Sequence, residues 1–283
     1  IEPNGTCGGG GNLAYNTYYL TGGTLDLGRS VSTSYFDNGR ELTTTTDYFY
    51  DYDDHYQLSS TQTRDSEGLA RMTKMYYGTD VNNTELIHRH RYSEVVRQET
   101  FLDKNDDGLF QSSELIGKQE TDYRLWTNAN NQYLPEYVKT QKGSGPLENR
   151  IDYHAYDDYG NPLQVSRPNG QDISYIWGYN NQYPVAKVEN ANRTQIDALS
   201  GVGTDFDTGA GGLTSTQENR LRSDLPKAIV TTYSYAPLIG LKTVTNPNMD
   251  TIKYFYDAFN RLEKVKDRND KMLSEHKYQY KDQ

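Results

Sequence analysis

The chain has 283 residues, with 39 Asp and Glu against 29 Lys and Arg and a formal net charge of −10. A mean hydropathy of −0.92, with no apolar run near the roughly 18 residues a spanning helix needs, excludes a membrane-spanning helix. The acid excess argues against nucleic acid as a partner, because such affinity rests on Lys and Arg that neutralise phosphates.

Ile, Leu, Val and Phe together supply 52 residues, about 18% of the chain, a level that by itself suggests disorder. The 26 Tyr and 2 Trp reverse that reading, since they bring the large apolar surfaces that aliphatics do not. Each tyrosine also carries a hydroxyl that needs water or a partner. A core built this way is thin, with half-buried rings, and suits β-sheet better than a helix bundle. The single cysteine, Cys7, excludes internal disulfides and cysteine-based zinc clusters. It lies in a glycine-rich stretch, 1–12, expected to be a flexible leader.

Residues 13–150 read as divergent β-hairpin repeats. Asn38-Gly39 stands between Ser34-Tyr35-Phe36 and Glu41-Leu42, a favoured hairpin turn. Tyr48-Phe49-Tyr50-Asp51, running on to Leu58, is a second, weaker unit. The segment 103–114, Asp103-Lys-Asn105-Asp-Asp107-Gly108-Leu109-Phe-Gln111-Ser-Ser-Glu114, matches every fixed position of the EF-hand calcium loop. In that pattern Asp103, Asn105 and Asp107 offer side-chain oxygens, Leu109 its carbonyl, Gln111 a bridging water and Glu114 a two-oxygen closure. The flanks, Val95–Leu102 and Glu120–Trp126, read as strands rather than helices. Calcium is thus the expected cofactor, held between hairpin arms; a plain acidic turn is the competing reading.

Residues 151–283 repeat more clearly. Tyr233-Ser-Tyr235, Tyr254-Phe-Tyr256 and Tyr278-Gln-Tyr280 begin 21 and 24 residues apart, and their i, i+2 spacing puts both rings of a pair on one strand face. A turn and a second short strand follow the first two pairs. The apolar residues of that strand, Leu241/Val244 and Leu262/Val265, sit three apart, as do Leu58 and Thr61 upstream. One-sided strands need two or four, so this spacing predicts a bulge or a strand covered on both faces.

Between these units, residues 190–226 differ in kind. Arg193–Leu199 predicts a short helix, Ser215-Thr-Gln-Glu218 a capping box opening a second, and the five glycines of 201–212 a loop between them. The insertion is expected to decorate the sheet surface, the alternative being a docking element.

The frame Tyr254-Phe-Tyr256-Asp257-Ala-Phe-Asn260-Arg261-Leu262 resembles the YD repeat of Rhs proteins, Tc-toxin shells and teneurins. Tyr175-Ile-Trp177-Gly178-Tyr179-Asn180, Tyr183-Pro184-Val185-Ala186 and Tyr235-Ala-Pro237-Leu238-Ile239-Gly240 extend the likeness to Rhs-repeat proteins of Bacteroidetes surfaces and secretions. The resemblance implies an all-β shell wall of edge-joined hairpins that encloses cargo such as a toxin domain. It implies export by the type nine outer-membrane machinery and a secreted or cell-surface location. The Asp-Pro and Gly box with which toxin-releasing relatives cleave themselves has no match here.

Catalytic patterns are weak. There is no Gly-x-Ser-x-Gly elbow, His-Glu-x-x-His or P-loop. His88 and His90 read as one face of a solvated basic strand, and the acids between Asp47 and Asp54 belong to the repeat. The expectation is a non-enzymatic segment of a longer polypeptide, whose other parts are its partners. The alternative is a calcium-assisted adhesin that binds cell-surface glycan.

Overall fold

A computed structural model describes residues 25–51, 55–64, 68–199 and 211–279. The Gly-rich leader and Cys7 lie outside them, as do Tyr280 and most of the 201–212 loop. The first strands are β1 (Arg29–Tyr35), β2 (Glu41–Phe49), β3 (Ser60–Arg64), β4 (Ala70–Tyr76), β5 (Arg97–Leu102), β6 (Leu115–Trp126), β7 (Gln132–Lys142) and β8 (Glu148–Tyr156). They continue as β9 (Pro162–Ser166), β10 (Asp172–Gly178), β11 (Tyr183–Glu189), β12 (Ile229–Ala236), β13 (Gly240–Thr245), β14 (Thr251–Tyr256), β15 (Leu262–Lys266) and β16 (Met272–Glu275). Each pairs antiparallel with the next, so the sixteen form one open curled sheet in strict chain order. The all-β, hairpin-repeat class is therefore correct. A meander of this kind is a strip with two rims of hairpin tips.

Register fixes the faces, since residues directly opposite one another share a side. On one face Tyr153 pairs with Val165, Val165 with Ile173, Tyr233 with Val244, Val244 with Ile252 and Tyr254 with Val265. Ser234, Thr243, Thr245, Thr251, Lys253, Lys264 and Lys266 point the other way. Across β12 to β15 apolar side chains thus share one side and threonine and lysine most of the other, while on β11 the ring side carries the Lys187–Glu189 ion pair opposite Tyr175 and Ile173.

That polar face changes character beneath the insertion. There Ser174, Ile176, Ala186, Val188, Val230 and Thr232 are all buried, and α2 (Arg193–Asp197) and α3 (Ser215–Asp224) bring Ile196, Leu199 and Leu221 down onto them. The insertion therefore builds the largest apolar cluster of the described residues, more than the surface decoration its sequence suggests. Helix α2 is capped by Asn192 with Gln195; α3 is capped by Thr214 with Gln217, one residue ahead of the expected Ser215 box. Position 217 wins because its amide oxygen reaches back to the Thr214 N–H at 2.8 Å.

Before β5 the chain makes a longer excursion, 77–96, which contains α1 (Thr84–His88) with Leu86 buried. His88 lies in that helix and His90 in the turn behind it at φ 56°, so the basic strand expected here does not form. Asn83 starts the helix by accepting from the Leu86 N–H at 3.2 Å, a capping signal that outweighs the alternation of His and Arg.

Candidate functional site

The recurrent structural device is the junction between successive hairpins. The ladder slips by one residue at Asp122/Tyr123, Ala155/Tyr156, Ile176/Trp177, Ser234/Tyr235 and Phe255/Tyr256, so that an aromatic faces Pro135, Pro162, Pro184, Leu241 and Leu262 in turn. These are the bulges that the Leu241/Val244 and Leu262/Val265 spacings predict. For Leu58/Thr61 the reason differs, because Leu58 precedes β3.

A bulge takes a carbonyl out of the ladder, and a carbonyl shielded from water needs another donor. The next hairpin supplies it. Tyr156 donates its hydroxyl to the Pro135 carbonyl at 2.9 Å, and Trp177 its indole N–H to that of Pro162 at 3.0 Å. Tyr256 donates to the Leu241 carbonyl at 2.9 Å and Tyr278 to that of Leu262 at 2.8 Å. At these four junctions an aromatic of the following hairpin thus latches onto a carbonyl at the bulge before it, whereas Tyr123, also across a bulge, donates to Glu94 at 3.2 Å instead. Glycine makes room: a Cβ on Gly240 would overlap the Tyr256 hydroxyl and ring. Burial raises the pKa of Tyr156, the first cause, with Tyr153 adding to it; burial likewise leads in pushing Tyr235 up to about 12. Both phenols are therefore donors throughout the neutral range.

The aspartate that follows the tyrosine closes the turn on the same rim. Asp257 Oδ1 accepts from the N–H groups of Phe259 at 2.8 Å and Arg261 at 3.0 Å, and Asp157 does the same with Tyr159 and Asn161 at 2.9 and 2.8 Å. Asn260 and Gly160 take the left-handed step between, at φ 60° and 86°. Arg261 also bonds the Asp257 carboxylate, and this holds its pKa below the ordinary carboxylate value.

The loop 103–114 joins β5 to β6 on the opposite rim. Asp103 is fully buried and accepts from the Asp107 N–H at 3.2 Å and the Gly108 N–H at 2.8 Å. Glu114, also buried, accepts from the N–H groups of Lys104 at 3.0 Å and Gln111 at 3.2 Å. Asn105 donates to Asp107 at 2.9 Å, Gly108 sits at φ 75°, and Leu109 turns its side chain out to solvent. Among the described residues neither Asp103 nor Glu114 has a cationic side-chain partner, and no three His, Cys, Asp or Glu side chains gather as a metal site. The candidate ligands share one loop, with the carboxylates of Asp103 and Glu114 turned onto its own amides. Arg64, at the end of β3, reaches Asp106 at 3.3 Å and ties the loop to the neighbouring hairpin.

One buried polar cluster has no counterpart in the sequence reading. His55 accepts the Gln57 N–H on Nδ1 at 3.1 Å and turns Nε2 to Asp80 at 3.4 Å, while Asp80 accepts the Tyr77 N–H at 2.7 Å. Its parts lie 25 residues apart, on two long connections, and nothing in their local spacing announces the contact. With Nδ1 on the Gln57 N–H and Nε2 turned to Asp80, His55 clasps two hairpin ends together.

No protein-family model matches the chain, and no curated protein matches it. Among solved structures it is similar to TcdB2-TccC3, at 12% identity and a TM-score of 0.33 over 83% of this chain and 13% of that one. It is similar also to TcdB2-TccC3-Cdc42, at 13% identity and a TM-score of 0.32 over 89% of this chain and 11% of that one. The chain therefore spans a small fraction of the length of the structures it matches. No described helix is long and apolar enough to cross a membrane.

Proposed function

We propose that this chain is a non-catalytic wall segment of a longer, exported bacterial polypeptide, whose hairpins enclose cargo or display a further domain. The observation that carries the reading is the repeated latch: at four described junctions the next hairpin's aromatic donates to a carbonyl at the bulge before it. Such a unit gains nothing alone and everything from continuation, which is the logic of a repeat array. Continuation also disposes of open edges, which otherwise recruit stray strands. The secreted or surface location and the type nine route follow from the Rhs resemblance of residues 151–283. Calcium belongs to the same proposal: in loop 103–114, Asp103, Asn105, Asp107 and Glu114, with the Leu109 carbonyl and a water on Gln111, would close on the ion and stiffen one rim.

The test is intact mass and negative-stain microscopy on the native polypeptide that contains these residues. A chain that runs on into further repeats and forms a hollow particle or a stalk is the expected result. A native chain that ends at Gln283 and stays an open monomeric strip would overturn the wall.

A further inference from the structure

The excursion 77–96 folds back against β5, β6 and β7 and leaves a groove of about 440 Å³, lined by Asn82, Arg97, Glu120, Asp122, Tyr123 and Tyr133 among others. Its volume lies within the roughly 300–1,000 Å³ of small-molecule sites. One part of its lining is aromatic. Tyr123 and Tyr133 stack across β6 and β7 with centroids 5.7 Å apart and planes 21° from parallel. The Tyr123 hydroxyl is held by Glu94 at 3.2 Å, and the Arg91 guanidinium lies 5.6 Å from its ring centre. These rings need little ordering when something packs on them, so little affinity is lost to entropy.

The rest of the lining is a set of neutralised charges. Arg97 bonds Glu120 at 2.9 Å, Lys118 bonds the same carboxylate at 2.9 Å, and Asp122 is paired with Lys139. Burial raises the Glu120 pKa, but Lys118 and Arg97 together outweigh it and hold the group below its ordinary value. Glu120 and Asp122 are therefore acceptors with their charge already answered, Arg97 keeps spare N–H donors, and Asn82 brings an amide that offers both. Fixed donors and acceptors beside an aromatic wall suit a ring with one apolar C–H face and a rim of hydroxyls. Glu85, Glu120 and Asp122 are each paired with a cation and Arg97 with Glu120, so the groove offers no unanswered positive charge to a ligand that carries its own carboxylate or sulfate.

We infer that this groove is a binding site for a neutral saccharide, with the stacked Tyr123 and Tyr133 as its apolar wall and Arg97, Glu120, Asp122 and Asn82 as its hydroxyl-reading side. The site is independent of the wall proposal, since a wall hairpin needs no such groove and a saccharide site needs no shell.

The experiment titrates the full chain with neutral gluco-, manno-, galacto- and xylo-oligosaccharides to about 10 mM, above the millimolar range of weak sites, and follows Tyr and Asn resonances by NMR. Polygalacturonate fragments and heparin fragments serve as acidic probes. Two variants accompany it. Tyr133→Ala removes half the wall, and Asn82→Gly removes the amide while suiting the φ of 54° at that position. The expected result is saturable shifts of Tyr123, Tyr133 and Asn82 with at least one neutral sugar, and affinity about tenfold or more weaker in each folded variant. If no neutral sugar moves those resonances, the inference is wrong. It is equally wrong if acidic fragments bind as well, or if folded Asn82→Gly keeps wild-type affinity.

Discussion

Replacing Tyr256 by Phe isolates the latch. The ring stays, so no cavity opens, and only the hydroxyl that donates to the Leu241 carbonyl at 2.9 Å is lost. Leu241 lies at a slip in the ladder, with Tyr235 opposite it and Thr243 opposite Ser234, so β12 offers no regular replacement. An acceptor left unsatisfied costs about 1–3 kcal/mol. Tyr256 is only half-buried, and water entering over its edge places the expected loss in the lower part of that range, about 1–2 kcal/mol. The control is Phe259→Ala, three residues on at an exposed turn tip, expected to stay within about 0.5 kcal/mol of wild type. Because a strip of hairpins opens locally, amide exchange is a better readout than a single melting curve. Protection across β13 and β14 should fall in Tyr256→Phe, while that of β4 to β6 stays unchanged. A Tyr256→Phe protein indistinguishable from the Phe259→Ala control would show that the latch carries no stability.

Gly240→Ala should destabilise the same junction by about 1–3 kcal/mol through overpacking, because the new methyl meets the Tyr256 hydroxyl first. Combined with Tyr256→Phe in a double-mutant cycle the two should be less than additive, and strict additivity would contradict the contact. Calcium at about 100 times its dissociation constant should stabilise the chain by about 2.7 kcal/mol, read as a rise in Tm that Asp103→Asn removes; a wild type indifferent to calcium ends that proposal. Alkali offers a further check. Burial leads in pushing Tyr123 and Tyr235 up to about 12, with Glu94 adding at Tyr123 and Tyr233 at Tyr235. A folded pKa above the unfolded value of about 10 means stability that is intact below pH 10 and lost as pH climbs towards 12. Ultraviolet titration should show a late-ionising class of tyrosines whose release coincides with loss of β-sheet circular dichroism, and a single class at the ordinary value would refute the burial argument.

What was legible in the sequence was local. Asn38-Gly39 and Asp257-x-x-Asn260 mark turns because their backbone demands fall on adjacent residues, and Gly39 and Asn260 do adopt positive φ. The bulges were legible too, since Leu241 and Val244 break a period of two within one strand. The partner of the bulge carbonyl was not. Leu241 and Tyr256 are 15 residues apart, Pro135 and Tyr156 are 21, and only the assembled register brings each pair together. His88 and His90 misled because alternation with Arg imitates a strand, whereas the Asn83 cap acts from outside that pattern. The aromatic groove escaped notice for the same reason as the His55–Asp80 clasp. Both are assembled from long connections laid against strands, and no period records such a contact.

The insertion shows how the two ways of joining hairpins divide the work. At the β11–β12 junction Trp177 faces Pro184 across the bulge as elsewhere, yet Tyr235 does not repeat the standard geometry there. It stacks on Tyr183 at 4.8 Å, and the Tyr179 hydroxyl both accepts the Tyr235 N–H at 2.9 Å and donates to its carbonyl at 3.2 Å. This is also the junction that the insertion separates in sequence, where loop closure costs more than at a short turn. The extra cost is met on the opposite face, where Ile196, Leu199 and Leu221 close over Val188 and Val230. Burying aliphatic side chains there, at about 1.5–3 kcal/mol each, stabilises far more than one aromatic hydroxyl can. The helices are therefore the local replacement for a short hairpin link, which explains why the most apolar packing among the described residues lies at this long detour.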